Sequence, residues 1–131
     1  MNQKNILIIG AGVIGQVYGA HLIEAGHNVT FLVREKYREQ FIKKGITIHC
    51  EGSIFPYSCS QNLEIKDAAF ITNMPELSDI DYIFVTTRAE QRQEIAEMLE
   101  KCDLSDNKKT ELVICFPFWS MSAMDFAKKF S

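Results

Sequence analysis

Apolar residues along this chain gather into short runs that are separated by longer mixed segments. The first run, Asn5–Ile9, shows no polar alternation, which is typical of a parallel strand buried on both faces. Residues 13–25 suit a helix with apolar positions on more than one face, and Gly26 stands where a helix-capping glycine would. Residues 28–33 are predicted to form the second strand.

The pattern continues with a polar helix and a third strand. Glu35–Lys44 is rich in Lys, Glu, Arg and Gln and ends before Gly45, and Ile46–Cys50 is predicted as a strand. Glycine, proline and asparagine then interrupt the chain up to residue 77, with small strands predicted over 54–59 and 69–72. The later elements are a strand over 82–87, a helix over 90–101, a strand over 111–116 and a last helix over 122–130.

Strands that alternate with helices of this length indicate right-handed crossovers and a parallel sheet. The predicted fold is therefore α/β, a doubly wound Rossmann unit with helices on both faces of its sheet. In such a fold, ligands bind at the carboxyl ends of the strands.

Composition narrows the class of partner. A chain of 131 residues with 47% hydrophobic content is expected to form one compact domain. A net charge of -3 offers no electrostatic attraction for nucleic acid or for an anionic membrane, so a small molecule is the expected partner. The apolar run that Gly10 interrupts is too short for a signal peptide or a membrane span, which predicts a cytoplasmic protein.

No group of residues indicates a metal site or a nucleophile. The four cysteines, Cys50, Cys59, Cys102 and Cys115, form no C-x-x-C pair and have no histidine at ligand spacing, so they are interpreted as free thiols. A disulfide between two of them stays open as an alternative. Asp79 and Asp81 are expected to cap or solvate the strand that follows them. Glu94, Glu97 and Glu100, with Lys101, are interpreted as a solvated helix face.

The glycine pattern Gly10-Ala11-Gly12-Val13-Ile14-Gly15 follows the first strand and opens the first helix. This context makes a G-x-G-x-x-G pattern informative as a dinucleotide-binding loop. Gly10 permits the tight turn, Gly12 lets the backbone approach the pyrophosphate, and Gly15 lets the helix pack near the strand. Gly19 lies on the same helix face as Gly15 and is interpreted as a packing residue.

The residue at the end of the second strand discriminates between the two nicotinamide dinucleotides. An acidic residue there would bind the ribose hydroxyls of NAD, whereas this chain has Arg34, which can pair with a 2′-phosphate. NADP is therefore the predicted cofactor. A shift of one residue would place Glu35 near the ribose, and Arg34 as a solvated residue at a helix start is the structural alternative.

The chain resembles the N-terminal domain of the ketopantoate reductases. The residues that carry the likeness are 6–15, 19–20, 24–34, 44–46 and 81–91. Members of that family reduce 2-dehydropantoate to pantoate with NADPH, a step toward pantothenate and coenzyme A. They combine this Rossmann domain with a helical C-terminal domain. The resemblance implies that residues 1–131 are the dinucleotide-binding domain of a longer two-domain protein and are inactive alone.

The resemblance also assigns residues at the end of the strand over 82–87. Thr86, Thr87, Arg88 and Gln91 are expected to contact the cofactor, with Gln91 matching a glutamine of the family and Arg88 standing where the family has a lysine. An Asn-Gly pair of the family, which lies beside the nicotinamide, is replaced here by residues 116–120, Phe-Pro-Phe-Trp-Ser. No catalytic residue is assigned, because the family's general-acid lysine lies in the other domain.

Three functions remain open on the sequence. The first is an NADPH-dependent reductase of a small 2-oxo acid, of which this chain is the cofactor domain. The second is a non-catalytic sensor of NADP(H), favoured by Arg88 and by the missing Asn-Gly pair, and the third is a dehydrogenase of another hydroxy acid. The last strand and helix fall short of the family's sheet, and this leaves a strand edge that could pair with a partner or with a second copy in a homodimer.

Overall fold

The computed structural model describes residues 2–50, 53–54, 57–58, 61–102 and 109–115. The strands are β1 (Asn5–Ile9), β2 (Asn28–Leu32), β3 (Ile46–Cys50), β4 (Ser53–Ile54), β5 (Tyr57–Ser58), β6 (Gln61–Ile65), β7 (Ala69–Ile71), β8 (Tyr82–Val85) and β9 (Glu111–Ile114). The helices are α1 (Val13–Glu24), α2 (Glu35–Lys44) and α3 (Arg92–Glu100), and a 3-10 turn (Ala89–Gln91) precedes α3.

Five parallel strands form the main sheet in the order β7-β2-β1-β8-β9. The central strand β1 pairs with β2 on one side, where Ile8 is opposite Phe31, and with β8 on the other, where Ile8 is opposite Phe84. The chain proceeds outward from β1 through β2 to β7 and then returns to the other side of β1. This reversal of strand order is the topological switch of a doubly wound sheet. The predicted Rossmann fold is confirmed.

Side chains of β1 enter two separate cores, which explains why its sequence has no polar alternation. Ile6 and Ile8 belong to the core on the α1 side of the sheet, together with Phe31. Leu7 and Ile9 belong to the core on the opposite side, with residues of β8 and α3. A strand with apolar partners on both faces must be apolar at every position.

Two glycines, one within α1 and one just after it, have the roles that the sequence predicts. Gly26 follows the helix with a φ of +93°, a backbone conformation that favours glycine. Gly19 is buried, and a Cβ at this position would overlap the Phe31 ring, with Phe31 Cε1 only 2.7 Å away. Gly19 therefore lets α1 pack against β2, as expected.

The third predicted strand has the predicted bounds but lies outside the main sheet. β3 pairs antiparallel with β6, a strand that the sequence analysis did not predict. Ile46 and Ile48 are buried, whereas Thr47 is exposed, so β3 has one apolar face only. The main sheet is covered on both faces and needs strands that are apolar on both, which β3 is not. The edge place beside β2 is taken by β7.

Several predicted boundaries differ from the observed ones. The strand over 28–33 ends at Leu32, that over 82–87 at Val85 and that over 111–116 at Ile114. In each case the next N–H, that of Val33, Thr86 or Cys115, still donates to the neighbouring strand. The prediction of a single strand over 54–59 is wrong: the described residues here belong to two short strands, β4 and β5, which pair antiparallel, with Ile54 opposite Tyr57.

The helix predicted over 90–101 begins at Arg92. The 3-10 turn comes first, and in it the Gln91 N–H donates to the Arg88 carbonyl oxygen over 3.0 Å. The Gln91 Oε1 also accepts a hydrogen bond from the Arg88 backbone N–H over 3.3 Å. The predicted helix over 122–130 and the aromatic residues 116–120 lie outside the described residues. Within the described part of the chain, no helix combines the length and the apolar character that crossing a membrane requires.

Candidate functional site

The chain leaves β1 through a glycine. Gly10 has a φ of +101°, and its N–H donates to the Leu32 carbonyl oxygen over 3.1 Å. A Cβ at this position would stand 3.1 Å from Thr87 Cγ2 and 3.2 Å from Thr86 Oγ1. Both the backbone conformation and the crowding require glycine at this turn.

Gly12 differs from Gly10 because the space around its Cα is not filled by other described residues. A Cβ on Gly12 would meet no heavy atom within 4 Å among the described residues. Its φ of -75° and ψ of -168° are open to any residue. Gly12 is the N-cap of α1, where no described side chain caps the helix and the first turn has no acidic residue. The open space in front of free N–H groups suits an anion that approaches the backbone closely.

Gly15 brings α1 against the start of its own loop. A Cβ there would stand less than 3.0 Å from the Gly10 carbonyl oxygen and 2.6 Å from Thr86 Oγ1. The Thr86 hydroxyl in turn lies 3.0 Å from the Ile9 carbonyl oxygen and 3.1 Å from that of Gly10, and it donates to them. Thr86 thus joins the end of β8 to the glycine loop from inside the protein.

A cleft of about 420 Å³ opens at the carboxyl ends of β1 and β2. Its lining comprises residues 9–12 and 32–34 at the strand ends, then Tyr37, Phe41, Thr72 and Thr87, then Gln91, Glu94, Ile95 and Met98 on the α3 side. The wall on the α3 side mixes apolar and polar side chains, as a site for an aromatic base and its sugar requires.

An ion pair spans this cleft. Arg34, the N-cap residue of α2, places its Nη2 3.3 Å from Glu94 Oε2 of α3. The two side chains are 53% and 59% exposed. Because exposed pairs contribute only about 0–1 kcal/mol, the Arg34 guanidinium can exchange its partner at little cost.

Thr87, two residues after the end of β8, has a side-chain hydroxyl without a hydrogen-bond partner among the described residues. Its Oγ1 is buried, and Thr87 lines the cleft. A buried hydroxyl left unpaired costs free energy, so such an atom indicates a missing partner. Gln91 also lines the cleft, whereas Arg88 is exposed and outside the lining.

The structure thus brings together some of the predicted site residues and not others. Those that line the cleft are Gly10, Ala11, Gly12, Arg34, Thr87 and Gln91. Those that do not line it are Val13, Ile14, Gly15, Thr86 and Arg88. In that second group, Gly15 and Thr86 shape the loop from behind, whereas Val13 is 81% exposed.

Glu94 is a lining residue that the sequence analysis did not assign to the site; it is exposed, as the predicted solvated helix face requires, and it also lines the cleft. Gln91, Glu94, Ile95 and Met98 recur at the spacing of one helix face and all line the cleft. That spacing was a usable signal once Gln91 was assigned to the site. The carboxylate that the sequence offered instead, Glu35, lines a different depression.

That second depression is larger, about 710 Å³, and lies between α2 and the segment after β7. Its charged lining residues are Glu35, Lys36, Arg38 and Glu39. It contains no glycine loop and no unpaired buried hydroxyl among the described residues. The smaller cleft is therefore the stronger candidate for a dinucleotide.

Cysteine chemistry does not contribute to this site in the described residues. Cys102 and Cys115 are free thiols, and burial raises the pKa of both. Cys102 Sγ donates to the Met98 carbonyl oxygen over 3.3 Å. A raised pKa keeps a thiol protonated and unreactive at neutral pH. No group of three metal-ligating side chains occurs in the described residues.

Comparison with known proteins places this architecture in a family. Residues 6–114 match the family described as Ketopantoate reductase PanE/ApbA. The 2-dehydropantoate 2-reductase of Archaeoglobus fulgidus is 33% identical over 103 residues, which cover 79% of this chain and 30% of that protein.

Solved structures agree with the fold. A 2-dehydropantoate 2-reductase from Methylococcus capsulatus superposes with a TM-score of 0.65 at 25% identity, covering 95% of this chain and 37% of that one. A D-mandelate dehydrogenase solved with NADH and anilino(oxo)acetate superposes with a TM-score of 0.68 at 21% identity, covering 96% and 37%. This chain therefore spans about a third of the length of the relatives that it matches.

Proposed function

Because this chain belongs to the ketopantoate reductase PanE/ApbA family, we propose that it is the cofactor-binding domain of an NADPH-dependent 2-oxo acid reductase. The reaction proposed is the reduction of 2-dehydropantoate to pantoate, on the way to pantothenate and coenzyme A. The observation that carries the proposal is the cleft that Gly12, Thr87 and Arg34 line together.

The described residues of this cleft fit a dinucleotide. The space that a Cβ on Gly12 would enter is open, so phosphate oxygens can reach the backbone N–H groups at the start of α1. Thr87 lines the same cleft, and its buried hydroxyl has no hydrogen-bond partner among the described residues, so it is available to a bound ligand. Apolar side chains of Ile95 and Met98 offer a surface for a base.

Arg34 supports NADPH as the preferred form. Its guanidinium lies at the end of β2, where the adenosine ribose sits in dinucleotide-binding folds. A guanidinium has a planar array of donors that suits a phosphate group. Since its present partner is an exposed carboxylate, a 2′-phosphate can take that partner's place.

The bound nicotinamide would supply the hydride, and this chain would supply its position. Gly10 and Gly15 hold the loop in place through close contacts, and Thr86 fixes that loop to β8. No lysine or histidine lines the described part of the cleft. A proton for the developing alkoxide of the substrate is therefore expected from residues outside this cleft, and we propose that the chain alone does not complete the reaction.

A non-catalytic sensor of NADP(H) is the second candidate, and Arg88 favours it. Arg88 replaces the lysine that the resemblance implies at this position, and it is exposed outside the cleft lining. A sensor would need the cofactor contacts of the glycine loop and Arg34 but none of the catalytic geometry. Binding alone cannot separate the two candidates, so their test must include turnover.

The proposal is tested by following NADPH fluorescence as the purified chain is added, with NADH as the second ligand. We expect tighter binding of NADPH, and we expect Arg34→Ala to remove that advantage, with Arg38→Ala as the matched control outside the cleft. Binding of neither dinucleotide would contradict the proposal. A longer protein carrying this domain that binds NADPH but does not oxidise it with 2-dehydropantoate would favour the sensor or another 2-oxo acid.

A further inference from the structure

The charge of Arg34 already has a partner in the structure, because the Glu94 carboxylate forms an ion pair with it across the cleft. The Nη2–Oε2 distance is 3.3 Å, and the two residues are 60 positions apart on opposite walls. Both line the same cleft. Any group that binds to Arg34 must therefore displace or accommodate a carboxylate.

A 2′-phosphate and a 2′-hydroxyl meet this pair differently. The phosphate carries nearly two negative charges at neutral pH, so it competes with Glu94 for Arg34 and is repelled by Glu94 once seated. A hydroxyl carries no charge and can donate a hydrogen bond to the Glu94 carboxylate while the pair with Arg34 stays intact. Glu94 thus penalises one ligand and accommodates the other.

We propose that Glu94 is a specificity-determining residue, which reduces the preference for a 2′-phosphorylated dinucleotide and lets NADH bind alongside NADPH. The inference rests on the proposed function of this cleft and refines its cofactor. Arg34 sets the attraction for the phosphate, and Glu94 sets how far that attraction separates the two cofactors. Glu35, which a shift of one residue in the predicted strand boundary would have placed near the ribose, lines the other depression and not this cleft.

The effect expected is moderate, because both side chains are more than half exposed. Exposed charge pairs change affinity by about two- to fivefold. The nearly double charge of the phosphate raises the expected gain for NADPH on removal of Glu94 to about three- to tenfold. Added salt screens exposed charges, so the gain should shrink as ionic strength rises.

The test uses Glu94→Gln, which keeps the size and an acceptor oxygen but removes the charge. Glu97→Gln is the matched control, since Glu97 lies on the same helix, accepts a hydrogen bond from the Gln93 Nε2 over 3.1 Å and does not line the cleft. Dissociation constants are measured for NADPH and NADH by fluorescence. Adenosine 2′,5′-bisphosphate and AMP, measured by calorimetry, isolate the 2′-phosphate from the nicotinamide half.

We expect Glu94→Gln to raise the ratio of NADH to NADPH dissociation constants by about three- to tenfold, with the same change between AMP and the bisphosphate. Glu97→Gln should leave both ratios within about twofold of the parent chain. An equal ratio in the two variants, in a parent chain that binds NADPH through Arg34, would overturn this inference and leave the proposed function standing. A parent chain that binds neither dinucleotide would overturn both.

Discussion

The backbone of Gly15 lies so close to Thr86 that a Cβ on residue 15 would stand 2.6 Å from the Thr86 Oγ1. The same Oγ1 donates to the carbonyl oxygens of Ile9 and Gly10. The start of α1, the end of β1 and the end of β8 therefore meet at one hydroxyl. A shift of the glycine loop would therefore also shift the start of α1. Neither Gly15 nor Thr86 lines the cleft, so this contact supports the loop from behind.

Gly15→Ala should destabilise the fold. The added methyl would also stand less than 3.0 Å from the Gly10 carbonyl oxygen, a backbone atom that cannot rotate away. We expect a loss of about 1–3 kcal/mol in the free energy of unfolding, the usual cost of overpacking a close contact. Urea unfolding followed by circular dichroism measures it, and an unchanged midpoint would contradict the contact.

Gly12→Ala should leave the stability of the fold nearly unchanged and weaken the binding of NADPH. Its methyl would enter open space, and its φ is accessible to alanine, so the free energy of unfolding should change by less than about 1 kcal/mol. Affinity for NADPH should fall by about tenfold or more, because the methyl occupies the space through which a phosphate reaches the backbone. Unchanged affinity in a folded variant would place the phosphates elsewhere.

Thr86→Val and Thr87→Val form a pair that separates a structural hydroxyl from a binding one. Thr86→Val removes a hydroxyl with two backbone acceptors and should cost about 1 kcal/mol of stability. Thr87→Val removes a buried hydroxyl that has no partner among the described residues, so stability should be unchanged or slightly higher. NADPH affinity should fall in Thr87→Val; if it does not, the hydroxyl is not a cofactor ligand.

The Asp81 carboxylate should make the free energy of unfolding depend on pH in the acid range. Its carboxylate accepts a hydrogen bond from the Asn5 backbone N–H over 2.9 Å, and this bond, with Lys109 3.7 Å away, holds the pKa of Asp81 below its usual 3.8. A lowered folded pKa stabilises the fold at pH above 3.8, and that contribution is lost as pH falls through the folded value.

Asp81→Asn should therefore melt at a lower temperature than the parent chain at neutral pH, and the two curves should converge in acid. Thermal melts at a series of pH values measure the difference. Asp79→Asn is the control, because Asp79 is exposed and receives the Asn5 side-chain amide on its backbone oxygen rather than on its carboxylate. A difference that does not vary with pH would contradict the role of ionised Asp81.

Much of the fold was predictable because local signals agreed with the tertiary structure. The apolar run of β1, the polar helix α2 between Arg34 and Gly45, and the glycine loop all have the predicted places. β6 was missed because the alternation of polar and apolar residues in a five-residue segment is weak evidence for a strand. It becomes strong evidence only when β3 is known to lie outside the main sheet and to need a partner. No local pattern reveals which sheet a half-apolar strand joins.

The part of the site that depends on local sequence was predictable, and the part that depends on tertiary packing was not. The glycine loop and Arg34 are local features that follow directly from strand and helix order. The Arg34–Glu94 pair joins residues 60 positions apart, and only the packing of α3 beside β1 brings them together. Likewise, nothing in the sequence distinguishes the bonded hydroxyl of Thr86 from the unpaired one of Thr87.

The most direct test of the central claim is to locate the bound dinucleotide on the chain. Amide resonances of the 15N-labelled chain are followed as NADPH is added. The account predicts the largest shifts at Gly12, Val13 and Arg34, with Thr87 among those that follow. Shifts confined to the depression around Lys36 and Glu39, or no shifts at saturating NADPH, would contradict it.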